Sequence, residues 1–114
     1  MSFGHVPTVG VGELAEADFL LDVREDDEWQ AGHAESALHI PMSRFAARYG
    51  EVTEAAPQDG RINVICRSGG RSAQVAMYLA QQGLDAVNVD GGMEAWAAAG
   101  RPVVDDQGAP GHVL

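Results

Sequence analysis

The sequence has no lysine, one cysteine, few aromatic residues (two Trp, two Tyr, three Phe) and no long apolar run. The missing lysine excludes Schiff-base catalysis and covalent attachment of pyridoxal phosphate. A lone cysteine cannot close an internal disulfide, which agrees with a reducing compartment, and it leaves no internal thiol to resolve what forms on it. No apolar stretch approaches the roughly 18 residues that cross a bilayer, and the first twenty residues hold no basic segment followed by an apolar one. A soluble, cytoplasmic protein is therefore expected. Basic side chains are scarce: seven, all Arg, against seventeen acids, for a formal net charge of −10. Such a balance repels nucleic acid and anionic membrane over a Debye length of about 8 to 10 Å, so neither is expected as a partner.

What remains is ordinary globular composition, 46% apolar and 21% charged over 114 residues, enough for one hydrophobic core and one domain. Short apolar runs, Phe19 to Val23, Ala37 to Ile40, Ile62 to Ile65 and Ala86 to Val89, alternate with helical patterns. Runs with little polar alternation suit strands covered on both faces, which points to an α/β fold with a parallel sheet. The clearest helix spans about Ser72 to Gln82, with Val75, Ala76, Leu79 and Ala80 on its apolar face and Gly83 as its C-terminal cap. Met93, Trp96 and Ala97 share a core-facing side of a second helix that Gly100 and Pro102 end. Asp26, Asp27 and Glu28 suit a first helical turn, with Trp29 turned inward. Residues 43 to 56 read as one or two irregular short helices, and Pro57, Asp59 and Gly60 as a turn. The domain is expected to end at residue 104, with 105–114 as a loose, flexible C-terminal tail.

The chemistry concentrates in Cys66, Arg67, Ser68, Gly69, Gly70, Arg71 and Ser72, between a strand and a helix. Paired glycines let successive amides converge on one point beside a helix N-terminus, forming an anion nest. Amides, helix dipole, Arg67 and Arg71 would all favour the Cys66 thiolate, the form that acts as a nucleophile. Arg71 offers a planar fork to an oxyanion, and Ser68 and Ser72 offer hydroxyls. A small buried hydrophobe is the usual role of a lone cysteine, but an inert thiol does not need two glycines, two arginines and two serines in the next six positions.

The loop and three further elements resemble the rhodanese family of sulfurtransferases, its single-domain kind in particular. Those elements are Leu21, Asp22, Val23, Arg24, Glu25; Gly32, His33, Ala37, Ile40, Pro41; and Val89 through Gly92 with Trp96, Gly100 and Pro102. The resemblance implies a three-layer fold, a small, mostly parallel five-stranded sheet with helices on both faces. It also implies that Cys66 takes sulfane sulfur from thiosulfate or a related donor as a persulfide and hands it to a thiophilic acceptor, cyanide in the test tube and a thiol or protein in the cell. No metal or organic cofactor is expected. Ala34 and Ser36 depart from the family's usual Ile and Gly, which bears on packing. A delivery module for a partner protein's persulfide is the alternative. Phosphatases and arsenate reductases of similar fold place five residues between Cys and Arg, where Cys66 and Arg71 have four between them.

Other motifs carry less. Gly10, Val11, Gly12, Glu13, Leu14, Ala15 match a relaxed dinucleotide fingerprint but are read as a loop entering a short helical turn. His33 and His39 lack enough neighbouring ligands for a metal and are read as structural, His33 by resemblance tying down the loop before the third strand. His5 and His112 lie near the termini. Asp22 and Arg24 are read as a structural ion pair rather than as acid and base.

Overall fold

The computed structural model describes residues 6–58 and 60–114, so His5 and Asp59 lie outside the described residues. Five strands form one sheet: β1 (Thr8–Val9), β2 (Leu20–Asp22), β3 (Leu38–His39), β4 (Ile62–Ile65) and β5 (Ala86–Val89). Their spatial order is β1-β5-β4-β2-β3, and every strand pair is parallel. Four helices connect or follow them: α1 (Asp26–Ala31), α2 (Phe45–Ala55), α3 (Gly70–Gln81) and α4 (Gly92–Ala98).

Alternate side chains of a strand point to opposite faces, and here both faces are apolar. Leu21, Val64 and Ala86 pack with Phe45 and Val52 of α2 and with Val75, Ala76 and Leu79 of α3. Leu20, Ile65, Val87 and Val89 pack on the other face with Met93 and Trp96 of α4. The result is the three-layer α/β arrangement expected. The central strand β4 runs as Ile-Asn-Val-Ile because both its sides are covered, and Asn63, its one polar residue, donates its amide to the Phe19 carbonyl at 2.9 Å. The last buried residue before the loop is Cys66, at the carboxyl end of this strand, where open α/β sheets place their ligands.

Several local expectations are corrected. The helix expected from Ser72 starts two residues earlier, because Gly69 serves as its N-cap in the left-handed region, φ 116°. Ala80 and Ala97, expected on core faces, are exposed. The stretch 43–56, expected as one or two irregular short helices, is a short 3-10 turn over Met42–Arg44 followed by one regular α-helix, Phe45–Ala55, whose core contacts are Phe45 and Val52. The expected loose tail is folded back. Val104 exchanges backbone hydrogen bonds with His33 at 2.8 and 2.9 Å, and the amides of Asp106, Gly111 and His112 donate to Gln30, Val103 and Ala31. A Cβ at Gly111 would sit 2.7 Å from the Ala31 carbonyl oxygen, so a residue without one permits that approach. The Gly10–Ala15 stretch follows the short β1 and forms a 3-10 turn over Val11–Glu13, with Gly10 outside the left-handed region.

Candidate active site

The loop after β4 wraps its amides around the Cys66 sulfur. The Gly69 amide donates to Sγ at 3.1 Å, and Ser72 Oγ stands 3.2 Å away. Burial by itself pushes the thiol up. The Ser72 hydroxyl, together with the Ser72, Gly69 and Ser68 amides, outweighs that and holds Cys66 below the ordinary thiol range. The loop's conformation rests on a second glycine pair. Gly91 and Gly92 both have positive φ, and the Met93 and Glu94 amides that open α4 donate to the carbonyls of Cys66 and Arg67 at 2.8 and 3.0 Å. A Cβ at Gly92 would clash with the Cys66 carbonyl and lie 2.6 Å from that of Arg67.

The seven loop residues expected to act together divide in the structure. Cys66, Gly69 and Ser72 converge on the sulfur. Ser68 is exposed and contributes its amide rather than its hydroxyl. Gly70 lacks positive φ and opens α3 into free space, so only one glycine of the pair needs its conformational freedom. Arg67 lies against Glu94 with Nε and Oε2 3.3 Å apart, both half exposed. Arg71 forms a two-pronged ion pair with Glu28, Nη1 to Oε1 at 2.7 Å and Nη2 to Oε2 at 2.9 Å. That pairing holds the Glu28 carboxyl down at about 2 and the Arg71 guanidinium above its usual value. Thus the leading forces that lower the thiol come from amides and a hydroxyl, with the Arg71 charge attracting the thiolate as well, while both arginines are engaged by carboxylates.

Two site residues carry no marker that sequence patterns reveal. Asn88, on β5, accepts from Ser72 Oγ at 2.6 Å through Oδ1 and donates from Nδ2 to the Gly69 carbonyl at 3.1 Å. Ser72 has one hydroxyl hydrogen, so it donates either to Asn88 or to the sulfur at a given moment. Glu28 reaches the loop from α1, 43 residues away in sequence. Its proximity to α3, the next helix but one, is encoded in no local spacing; only the chain's return through β4 creates it.

Asp22 and Arg24 form the expected structural ion pair, Nη2 to Oδ2 at 2.7 Å, with both side chains fully buried. Arg24 also donates to the Gly32 carbonyl at 2.8 Å and to that of Glu28 at 3.3 Å, which fixes α1 beneath the loop. Trp29 stacks between His33 and His39, ring centroids 3.6 and 4.5 Å away. The histidines bond to the carbonyls of Trp29 and Arg24, both at 2.7 Å, in structural roles. Among the described residues no cluster of His, Cys, Asp or Glu could hold a metal ion, and no helix is long and apolar enough to cross a membrane. Two cavities, of about 320 and 390 Å³, lie elsewhere, and no loop residue lines either.

Comparison with known proteins agrees with this geometry. Of curated relatives, the Bacillus subtilis protein named "Putative sulfurtransferase YtwF" is 40% identical over 105 residues, covering 90% of this chain and 98% of its own. A protein of Allochromatium vinosum named "Sulfurtransferase" is 40% identical over 90 residues, 78% of this chain and 80% of its own. Among solved structures, a rhodanese-related protein of Thermoplasma volcanium superposes with a TM-score of 0.76 at 33% identity, over 87% of this chain and 98% of that one. The rhodanese-like domain description matches residues 11–99, and with that match the chain belongs to the rhodanese-like domain family.

Proposed function

We propose that this protein is a sulfurtransferase that carries sulfane sulfur on Cys66. The observation that carries the reading is the buried Cys66 sulfur, at the end of the central strand, with the Gly69 amide at 3.1 Å and the Ser72 hydroxyl at 3.2 Å. These donors favour a thiolate, and they would equally favour a terminal persulfide anion on the same atom. With thiosulfate as donor, the Cys66 thiolate attacks the outer sulfur. The donor's S–S bond breaks, sulfite leaves with the electron pair, and Cys66 keeps the sulfur as a persulfide anion. An acceptor nucleophile then attacks that sulfur, and the Cys66 thiolate leaves. Cyanide serves as acceptor in the test tube, a thiol or protein in the cytoplasm. No external reductant enters either step, and the cycle asks for no metal or organic cofactor.

In this reading Cys66 is nucleophile and carrier, Gly69, Ser68 and Ser72 stabilise the charge, Gly70 opens the helix behind them, and Arg71 with Arg67 meets the anionic donor. The arginine edges facing Glu28 and Glu94 favour sulfur chemistry over phosphatase or arsenate reductase chemistry, which needs an arginine aimed at the centre of a wider cradle. The same engaged arginines favour a second reading, in which a partner protein loads or unloads Cys66 directly. Thiocyanate formation from thiosulfate and cyanide should vanish in Cys66→Ala while its circular dichroism stays native. Turnover surviving in that variant would refute the reading.

A further inference from the structure

We propose that Glu28 determines which sulfur donors the loop accepts, by competing with the donor anion for the Arg71 guanidinium. The inference rests on the reading that Cys66 is loaded by a small donor, and it adds a selectivity residue outside the loop.

Arg71 presents an Nη1/Nη2 edge that matches the paired oxygens of an oxyanion, and Glu28 occupies that edge with both carboxylate oxygens, at 2.7 and 2.9 Å. Glu28 is held in place. Its Oε1 accepts the Glu25 amide at 3.0 Å, and Arg24, itself locked in the buried pair with Asp22, donates to its backbone carbonyl. With its carboxyl titrating at about 2, it stays charged at any working pH. Its side chain is only 15% exposed, against 51% for Glu94 on Arg67, so the Arg71 pair is the drier and tighter of the two. A donor approaching Cys66 therefore meets a guanidinium already matched by a fixed carboxylate, and it must displace that carboxylate or settle beside it. Either course costs a dianion more than a monoanion, because Coulomb energy scales with donor charge. Specificity of this kind comes from a repulsive element beside the attractive one. The chain's formal charge of −10 acts in the same direction from farther away. The favoured donors are those of low charge.

The test is equilibrium binding in a Cys66→Ala background, so that no sulfur moves, by calorimetry at fixed ionic strength with thiosulfate (2−) and methanethiosulfonate (1−). Glu28→Gln keeps an acceptor for the Glu25 amide, as capping boxes allow, and removes the charge. It should tighten thiosulfate binding about tenfold and methanethiosulfonate binding about threefold, as linear scaling with charge requires. Glu28→Ala should move both in the same direction. In an Arg71→Gln background the same Glu28→Gln change should give a smaller gain, because only the direct repulsion is then relieved and there is no guanidinium edge to free. Unchanged or weaker thiosulfate binding in Glu28→Gln, the same gain with Arg71 absent, or no binding to any variant would overturn the proposal. Because the readout is binding to a protein without its thiol, such a failure leaves sulfur transfer itself untouched. Conversely, a wild type that never takes up sulfur leaves the binding result standing.

Discussion

Replacing Arg24 by methionine tests the buried frame beneath the loop. The guanidinium donates to Asp22 through Nε at 3.0 and 3.1 Å and Nη2 at 2.7 Å, and to the carbonyls of Gly32 and Glu28. Arg24→Met keeps much of the apolar stem but leaves the fully buried Asp22 carboxylate with only the position-24 amide, now at 3.0 Å, as a donor. Breaking a buried ion pair from one side costs about 3–5 kcal/mol, a large part of the roughly 5–15 kcal/mol that holds a domain folded. With a urea m-value of about 1.5 kcal/mol/M, the unfolding midpoint should fall by roughly 2–3 M at constant slope. Asp22→Leu combined with Arg24→Met should be less destabilised than the two single losses added together, because no charge is then left unpaired. A loss under about 1 kcal/mol in Arg24→Met, or full additivity in the double variant, would refute the assignment of this pair as a mutually dependent structural unit.

Two further outcomes follow from the loop. Ser72→Ala removes a hydroxyl donor from Sγ, so the Cys66 pKa should rise and iodoacetamide alkylation near neutral pH should slow by up to about tenfold, since a hydrogen bond to a charged atom contributes about 1.5 kcal/mol or more; an unchanged alkylation profile would contradict this. Gly92→Ala places a methyl against the Cys66 and Arg67 carbonyls at a position with φ 55°, so it should lower thermal stability and sulfur uptake together, whereas Gly70→Ala, which meets open space, should leave the melting temperature within a few degrees of wild type.

Much of this site is legible in the sequence because its signals are local. The run from Cys66 to Ser72 lies on consecutive residues, β4 and β5 are uninterrupted enough to read as covered strands, and α3 shows its helical period directly. What escapes notice depends on contacts across the sheet. Asn88 sits in a strand read as apolar, and its role exists only because β5 lies beside β4 and brings it to Ser72. Glu28 reads as a helix-opening acid, which it is, and its second role on Arg71 needs α1 to be carried beneath the loop. The arginines were legible as cations but not as partners of Glu28 and Glu94, since pairing is settled by side-chain reach in three dimensions. Residues 105–112 are attached through backbone amides and carbonyls, groups that every residue carries, so their polar, Gly- and Pro-rich composition reads as a tail. The edge strand β1 is two residues long and has no period to detect.

The central claim is that Cys66 holds the transferred sulfur, and the most direct measurement is the intact mass of the protein after incubation with thiosulfate without reductant, beside a Cys66→Ala control. The account predicts a gain of one sulfur atom on the wild type alone, lost again when cyanide or a thiol is added. A wild type that stays at its original mass with thiosulfate, with methanethiosulfonate and with a protein persulfide donor, or a control that gains the same sulfur, would contradict it.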